Sequence, residues 1–199
     1  MEYYAGIGSR KTPSEILYSM EEIAEYMSSF GWTLRSGGAN GADSAFEKMT
    51  KLREVYLPWK GFNRSNSSLY GILNTKAVEI SKKVWDDRFE KGGVVCSWDR
   101  LKETTRLMMI RNCYQILGKE LNSPSKLVIC WTKDGEESGG TGQALWLAKM
   151  INESTKVRYR IKIVNLQKEA HRTAMRNAIR SQMDPIKLWS YDADPRKGV

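Results

Sequence analysis

Histidine and cysteine are scarce in this chain, and their scarcity removes much of the usual catalytic and metal chemistry. Among 199 residues there is one histidine, His171, and three cysteines, Cys96, Cys113 and Cys130. A Ser-His-Asp triad or a Cys-His dyad needs an imidazole beside its nucleophile. His171 stands in a basic stretch far along the chain from the glycine-rich loops described below. The cysteines are odd in number, well separated and form no CxxC, so neither a disulfide framework nor a zinc site is indicated, and buried free thiols are expected. HExxH, GxxxxGK[ST] and clustered metal-ligand spacings are all absent, which sets aside zinc hydrolysis and P-loop ATP hydrolysis. No metal and no cofactor is therefore expected. Long apolar runs are missing as well, since nothing approaches the roughly 20 residues that span a bilayer. The opening MEYYAGIGSR lacks the basic-then-apolar order of a secretory signal. The expectation is a cytoplasmic protein with no membrane partner.

What is abundant is positive charge. Lys and Arg number 32 against 23 Asp and Glu, a formal +9, which favours phosphate-bearing partners, nucleotides or nucleic acid, without bearing on the fold. The length suits one α/β domain over 1–199, with room for an insertion and a sizeable core.

Apolar periodicity alternates between strand and helix. Tyr3 to Ile7 is a β-prone run, and Ile16, Met20, Ile23, Met27 and Phe30 follow at helical spacing. Thr12, Pro13 and Glu15 read as N-cap, first helical residue and capping-box acid, with Gly31 as the stop. "WTLRSGG" is a second strand, Ala42, Ala45, Phe46 and Met49 mark a second helix, and "EVYLPW" is a third strand. Residues 60–103 are irregular apart from a helical pattern through Ala77, Ile80 and Val84, and read as an insertion or lid. Alternation resumes with a helix through Leu107, Ile110, Tyr114 and Leu117, the strand "KLVICW", and a helix opened by "GGTGQALWLAKM". Val157, Tyr159, Ile161 and Ile163 then alternate with Arg158, Arg160 and Lys162 as in a half-exposed edge strand. A basic helix and tail occupy 166–199. This order implies an α/β, Rossmann-like three-layer domain with a mainly parallel sheet and an inserted helical or irregular segment.

Three strand ends run into polar, glycine-bearing loops, "GIGSRKTP", "RSGGANGAD" and "WTKDGEESGGTGQA". The carboxyl ends of parallel strands line one crevice, so all three can face one ligand. Glycine lets backbone approach a phosphate, and a helix start offers unpaired N–H groups and a positive dipole end. The expected ligand-binding residues are Gly8, Ser9 and Arg10; Arg35, Ser36, Gly37, Gly38 and Asp43; and Gly139, Gly140, Thr141 and Gly142. Arg10 and Arg35 can clamp an anion with two hydrogen bonds, or be a solvated loop arginine and the partner of an acidic neighbour. Asp43 opens a helix, where a cap or dipole partner needs an acid without any ligand, or it accepts hydrogen bonds from ribose hydroxyls or a base edge. Asp43 and Glu137 are the candidate acids for any catalysis, with Glu136 beside Glu137 as a surface acid. Lys168, Arg172, Arg176 and Arg180 recur every four residues, a like-charge ridge that an external polyanion such as single-strand DNA would explain and a solvated face also allows. Trp59, Phe62, Trp85 and Trp98, in or beside the insertion, can stack on bases or pack in the core.

"GIGSRKTP" and "SGGANGADSAF", with Arg111 and Asn112 in a helix before the fourth strand, are similar to the GSR loop, the SGxAxGxD motif and the RN motif of a known superfamily. It unites DNA processing protein A, a bacterial single-strand DNA recombination mediator, with the Lonely Guy phosphoribohydrolases. The resemblance covers roughly residues 3–52 and 105–165 and is most specific in the second motif. Short proteins of this type also occur in tailed-phage genomes. A histidine common after the aspartate in the DNA-processing branch is missing, since Ser44, Ala45, Phe46 and Glu47 follow Asp43. Against the hydrolase pattern PGGxGTxxE, Gly139, Gly140 and Gly142 align, while Ser138 replaces the proline, Gln143 the threonine and Trp146 the glutamate. The resemblance implies a nucleotide or a nucleotide-derived signal as ligand, and self-association. Lack of the matching glutamate points to a sensor or sequestering protein. The alternatives are a single-strand DNA-binding recombination mediator, and a nucleotide N-glycosidase relying on Asp43, Glu47 or Glu137.

Overall fold

A computed structural model describes residues 1–71, 74–154 and 160–187. Strands β1 (Tyr3–Gly8), β2 (Thr33–Ser36), β3 (Arg53–Val55), β4 (Leu127–Trp131) and β5 (Lys162–Asn165) form one sheet in the order β3-β2-β1-β4-β5, every pair parallel. Parallel neighbours require crossovers. Helices α1 (Ser14–Ser29), α2 (Ala42–Lys48), α3 (Thr75–Glu90), α4 (Glu103–Leu117), α5 (Gly139–Glu153) and α6 (Glu169–Ser181) flank the sheet. The fold is the α/β, Rossmann-like three-layer arrangement that the alternating pattern implies.

Two cores result, one on each face. Along β4, Leu127, Ile129 and Trp131 join the cluster under α1, α2 and α6, whereas Val128 and Cys130 join the cluster under α3, α4 and α5. A strand covered on both sides reads as a continuous apolar run, which is why "LVICW" shows no alternation. On β1 the face toward α2 carries Tyr4, which meets Phe46 edge to face, and beyond it only glycine. A Cβ on Gly6 would stand 2.6 Å from Phe46, and one on Gly8 would stand 2.6 Å from the Ala42 methyl. Glycine at both positions lets α2 lie directly on the strand.

Local chemistry differs from the sequence reading in several places. Pro13, not Thr12, ends up as the N-cap of α1, its carbonyl accepting the amides of Ile16 and Leu17. The Thr12 hydroxyl instead closes the preceding turn by donating to the Ser9 carbonyl at 2.7 Å. Gly31 is the expected stop, with φ +73 and the Trp32 amide returning to Met27. β3 is shorter than "EVYLPW", and Leu57 beyond it makes a lone bridge to Tyr70. Residues 60–103 lead from β3 into α4, and α3 within them is packed into the layer: Ala77, Val84 and Trp85 are buried in the same core cluster as α4 and α5. An amphipathic helix with that much apolar surface is held in the layer by burial. β5 is the sheet edge expected, yet it is less open than a half-exposed strand, since Ile163 packs toward one core and Val164 toward the other. Val157, Arg158, Tyr159 and residues 188–199 of the expected tail lie outside the described residues. No helix among the described residues is long and apolar enough to cross a membrane.

Cys113 and Cys130 are buried free thiols and Cys96 is partly exposed. Burial pushes the Cys113 and Cys130 thiols up to about 12, which suppresses the reactive thiolate. A chromogenic disulfide reagent should therefore titrate Cys96 promptly in the native protein and the other two only after denaturant. Prompt reaction of all three would contradict this core.

Candidate functional site

The chain leaves β1 toward β2 and β3 on one side of the sheet and returns to β4 on the other. The carboxyl ends of β1 and β4 therefore sit at a topological switch point, where connections diverge and leave a crevice. A cavity of about 460 Å³ opens there, within the range of small-ligand sites. All three glycine loops reach it. The first contributes Gly8, Ser9 and Arg10, the second Ala39 and Asp43, and the third Ser138, Gly139, Gly140 and Thr141. Met109, Arg111, Asn112 and Gln115 of α4 form one wall, and Phe62, Asn63 and Trp85 of the insertion close the cavity laterally.

The second loop does not use its glycines as a phosphate cradle. Its donors are already paired with carboxylates of α2. Asp43 Oδ2 accepts the amides of Gly37 at 3.1 Å and Ala39 at 3.4 Å, while Glu47 Oε1 accepts the Gly38 amide at 3.0 Å and the Ser36 hydroxyl at 2.6 Å. The small residues answer to packing. A Cβ on Gly37 would fall 1.2 Å from an Arg111 guanidinium nitrogen, and Gly38, at φ +65, would drive one to 2.5 Å from Leu57. Ser36, Gly37 and Gly38, expected among the ligand-binding residues, thus lie behind the cavity lining. Arg35 is likewise outside the lining. It is 2% exposed, pairs with Glu54 at 2.9 Å, donates to the Ser123 carbonyl and lies over the Tyr3 ring. A guanidinium so committed is a brace between β2, β3 and the loop before β4.

Asp43 stands where loop, helix and cavity meet. It is 3% exposed, lines the cavity, and Arg111 Nη1 lies 3.4 Å from its Oδ2. Burial pushes the Asp43 carboxyl up and the Arg111 guanidinium down, with their mutual attraction and the two loop amides opposing the shift. Desolvation also pushes Glu47 up, and Asp43 nearby adds to it. All three of Asp43's bonds fall on Oδ2, so it is first an organiser of the loop and has Oδ1 for a ligand hydroxyl. Arg111 holds a second partner, Gln115 Oε1 at 2.9 Å, yet its Nε and Gln115 Nε2 are buried without a hydrogen-bond partner among the described residues. Asn112, the next residue, donates to the Gly140 carbonyl at 2.9 Å. Two adjacent α4 residues therefore tie the second and third loops to one wall.

The third loop is anchored from below by a residue that sequence reading passed over. Arg88 of α3 is fully buried and donates to the carbonyls of Glu137 at 2.8 Å and Gly139 at 3.4 Å and to Gln143 Oε1 at 3.2 Å. No carboxylate pairs with it among the described residues, and burial pushes its guanidinium down. The start of α5 has no side-chain cap from Ser138, and Gly139, Gly140 and Thr141 lie there on the cavity. Gly142 is buried beneath, where a Cβ would collide with the Glu137 carbonyl at 2.1 Å. Its role is close packing, not contact with a ligand. Glu137 is also outside the lining, its carboxylate paired with Lys149. Trp146 packs away from the cavity, its Nε1 donating to Asp87 at 2.6 Å.

No protein-family model, curated protein or solved structure matches this chain. Function must be read from the site itself.

The basic ridge lies on α6, apart from the cavity lining. Lys168 is the N-cap residue, and Glu169 pairs with both Arg172 and Arg176, while Arg172 also donates to the carbonyls of Leu166 and Gln167. The Lys168 and Arg180 side chains, at the two ends, are left without such a partner among the described residues. Glu169 offsets the like-charge repulsion, so an external polyanion is not required to account for the spacing. His171 Nδ1 accepts the Asn165 amide at 2.9 Å and secures the turn from β5.

Removing one member of a buried ion pair leaves the other uncompensated, a loss of about 3 kcal/mol. Asp43→Asn and Arg111→Met should each destabilise the protein by about that amount in urea unfolding. The double variant should lose clearly less than the sum. Additive losses would show that the pair does not hold the loop.

Proposed function

We propose that this protein binds a nucleotide or nucleotide-derived signalling molecule in the switch-point cavity, as a sensor or sequestering protein. One observation carries the reading: the cavity is lined by three cations, Arg10, Lys133 and Arg111, and by Asp43 as its one acid, and that acid is already engaged by Arg111 and two amides. Arg10 and Lys133 are exposed and without an ion pair among the described residues. An anion supplies what they lack. The uncapped start of α5 adds backbone donors and the positive end of a helix dipole, which suits a phosphate. Phe62, Trp85, Met108 and Met109 make the opposite character available, a surface for a flat base.

Binding without cleavage is the form that this chemistry favours. Glycosidic hydrolysis needs an acid or base at the bond. Asp43 is buried, bonded on Oδ2 and committed to loop structure, and Glu137 lies outside the cavity. The likeness of "SGGANGADSAF" and of the Arg111–Asn112 pair to nucleotide-handling proteins supports the same reading.

Isothermal titration with AMP, ADP-ribose, NAD and cyclic mononucleotides tests it. At least one should bind at micromolar concentrations, with Arg10→Ala and Lys133→Ala each weakening it about tenfold, the value of one charge-assisted hydrogen bond. Gly140→Ala should fold normally, because the added methyl meets Met109 and Asn112 at 3.5 and 3.6 Å, ordinary contact distances, and yet weaken binding by crowding the phosphate. No heat with any ligand up to millimolar concentration would overturn the proposal.

A further inference from the structure

One motif has so far served only as a cavity wall: Trp59, Lys60, Gly61, Phe62, Asn63 and Arg64, in which aromatic and cationic residues interleave. Its backbone is unusual. Gly61, Asn63 and Arg64 have φ of +73, +49 and +61, and a left-handed conformation at the last two, which carry side chains, costs about 1 kcal/mol or more each. The turn is held in place by Asn63, whose Nδ2 donates to the Gly38 carbonyl at 2.9 Å, and so it is tied to the loop that Asp43 and Glu47 organise. Phe62 and Asn63 line the cavity. Trp59 meets Phe62 edge to face, with centroids 5.0 Å apart and planes at 87°, and is 37% exposed. An aromatic surface therefore continues from the cavity wall onto the rim. Lys60 and Arg64 flank it, both exposed and without an ion pair among the described residues.

We propose that Trp59, Lys60 and Arg64 form an outer subsite for a second base and its linking phosphate, making the ligand a dinucleotide or a strand end rather than a mononucleotide. This rests on the nucleotide reading of the cavity. Stacking on an exposed aromatic ring tolerates any base, and the flanking cations take the phosphate that joins it to the unit inside. The strained turn has a function on this view, since it aims Trp59 and Arg64 outward while Phe62 stays on the wall.

Calorimetric titration of the wild type, Trp59→Ala and Trp59→Phe with AMP, the phosphodiester dinucleotide pApA, NAD and a short oligodeoxyadenylate tests the subsite. Trp59 is a rim residue, and circular dichroism confirms that each variant is folded. A two-base ligand should bind the wild type about tenfold or more tightly than AMP. Trp59→Ala should erase that advantage and leave AMP unchanged, and Trp59→Phe should retain most of it. The preferred ligand among pApA, NAD and the oligonucleotide distinguishes a phosphodiester dinucleotide, a pyrophosphate-linked one and a strand end. AMP binding as tightly as every two-base ligand, or an advantage that survives Trp59→Ala, overturns the subsite while leaving the cavity reading intact. Absence of binding by all four ligands overturns both.

Discussion

Much of the site depends on one buried contact, the Arg111 guanidinium against the Asp43 carboxylate beneath the second glycine loop. Placing that cation there leaves no room for a side chain at residue 37, so the chain has glycine. The carboxylate draws the Gly37 and Ala39 amides inward, and this bends the loop back over the start of α2. α2 must then lie close on β1, which glycine at residues 6 and 8 and alanine at 42 permit. Gly41, at φ +85, brings the loop within 2.8 Å of the Ser9 carbonyl for a notional Cβ, so the first and second loops are pressed together. A run of small residues that resembles a phosphate cradle is in large part the packing requirement of an internal ion pair.

A buried pair of this kind is weak evidence for stability, because desolvation cancels most of the attraction. Its value here lies in position. Arg111 and Asn112 are neighbours on α4, and each fixes a different loop, so one helix sets the distance between the second loop and the start of α5. Arg88 does the same from α3 by gathering the carbonyls of the third loop. The amides at the opposite side of that loop are left for the cavity. The two helices thus divide the work: an arginine of α4 meets the buried Asp43, and an arginine of α3 gathers the carbonyls of the third loop.

The fold was legible in the sequence because it rests on periodicity. Apolar spacing at Ile16, Met20, Ile23 and Met27 and the buried run of "LVICW" identify elements that their own side chains determine. The location of the site was legible for a topological reason, since loops after parallel strands share an edge. The division of labour among the glycines was not. Gly38 and Gly140 look equivalent in a sequence, and only the structure tells them apart, since the Gly38 amide is held by Glu47 whereas Gly140 lines the cavity. Arg35 fell to a partner 19 residues away, Glu54. Arg88 carried no signal at all, because an arginine on an amphipathic helix ordinarily faces water. Arg111 and Asn112 could be found only through motif likeness.

Positive charge follows the same pattern of local meaning. The formal +9 suggested a polyanion, and in the most regular basic series, on α6, one glutamate pairs with two of the four cations. Cations without an ion pair among the described residues occur elsewhere too, Lys60 and Arg64 among them, but two of them, Arg10 and Lys133, line the cavity, with Arg88 buried behind the third loop. A site that is electropositive, glycine-edged and poor in free acids suits the anion proposed for it. The most direct measurement is an amide NMR titration with AMP. The amides of Gly139, Gly140 and Thr141 should shift together with those of Ser9 and Arg10, while Gly37 and Gly38, held by Asp43 and Glu47, stay nearly still. Large shifts at Gly37 and Gly38 with none at Gly139 to Thr141 would contradict the assignment of the anion to the start of α5.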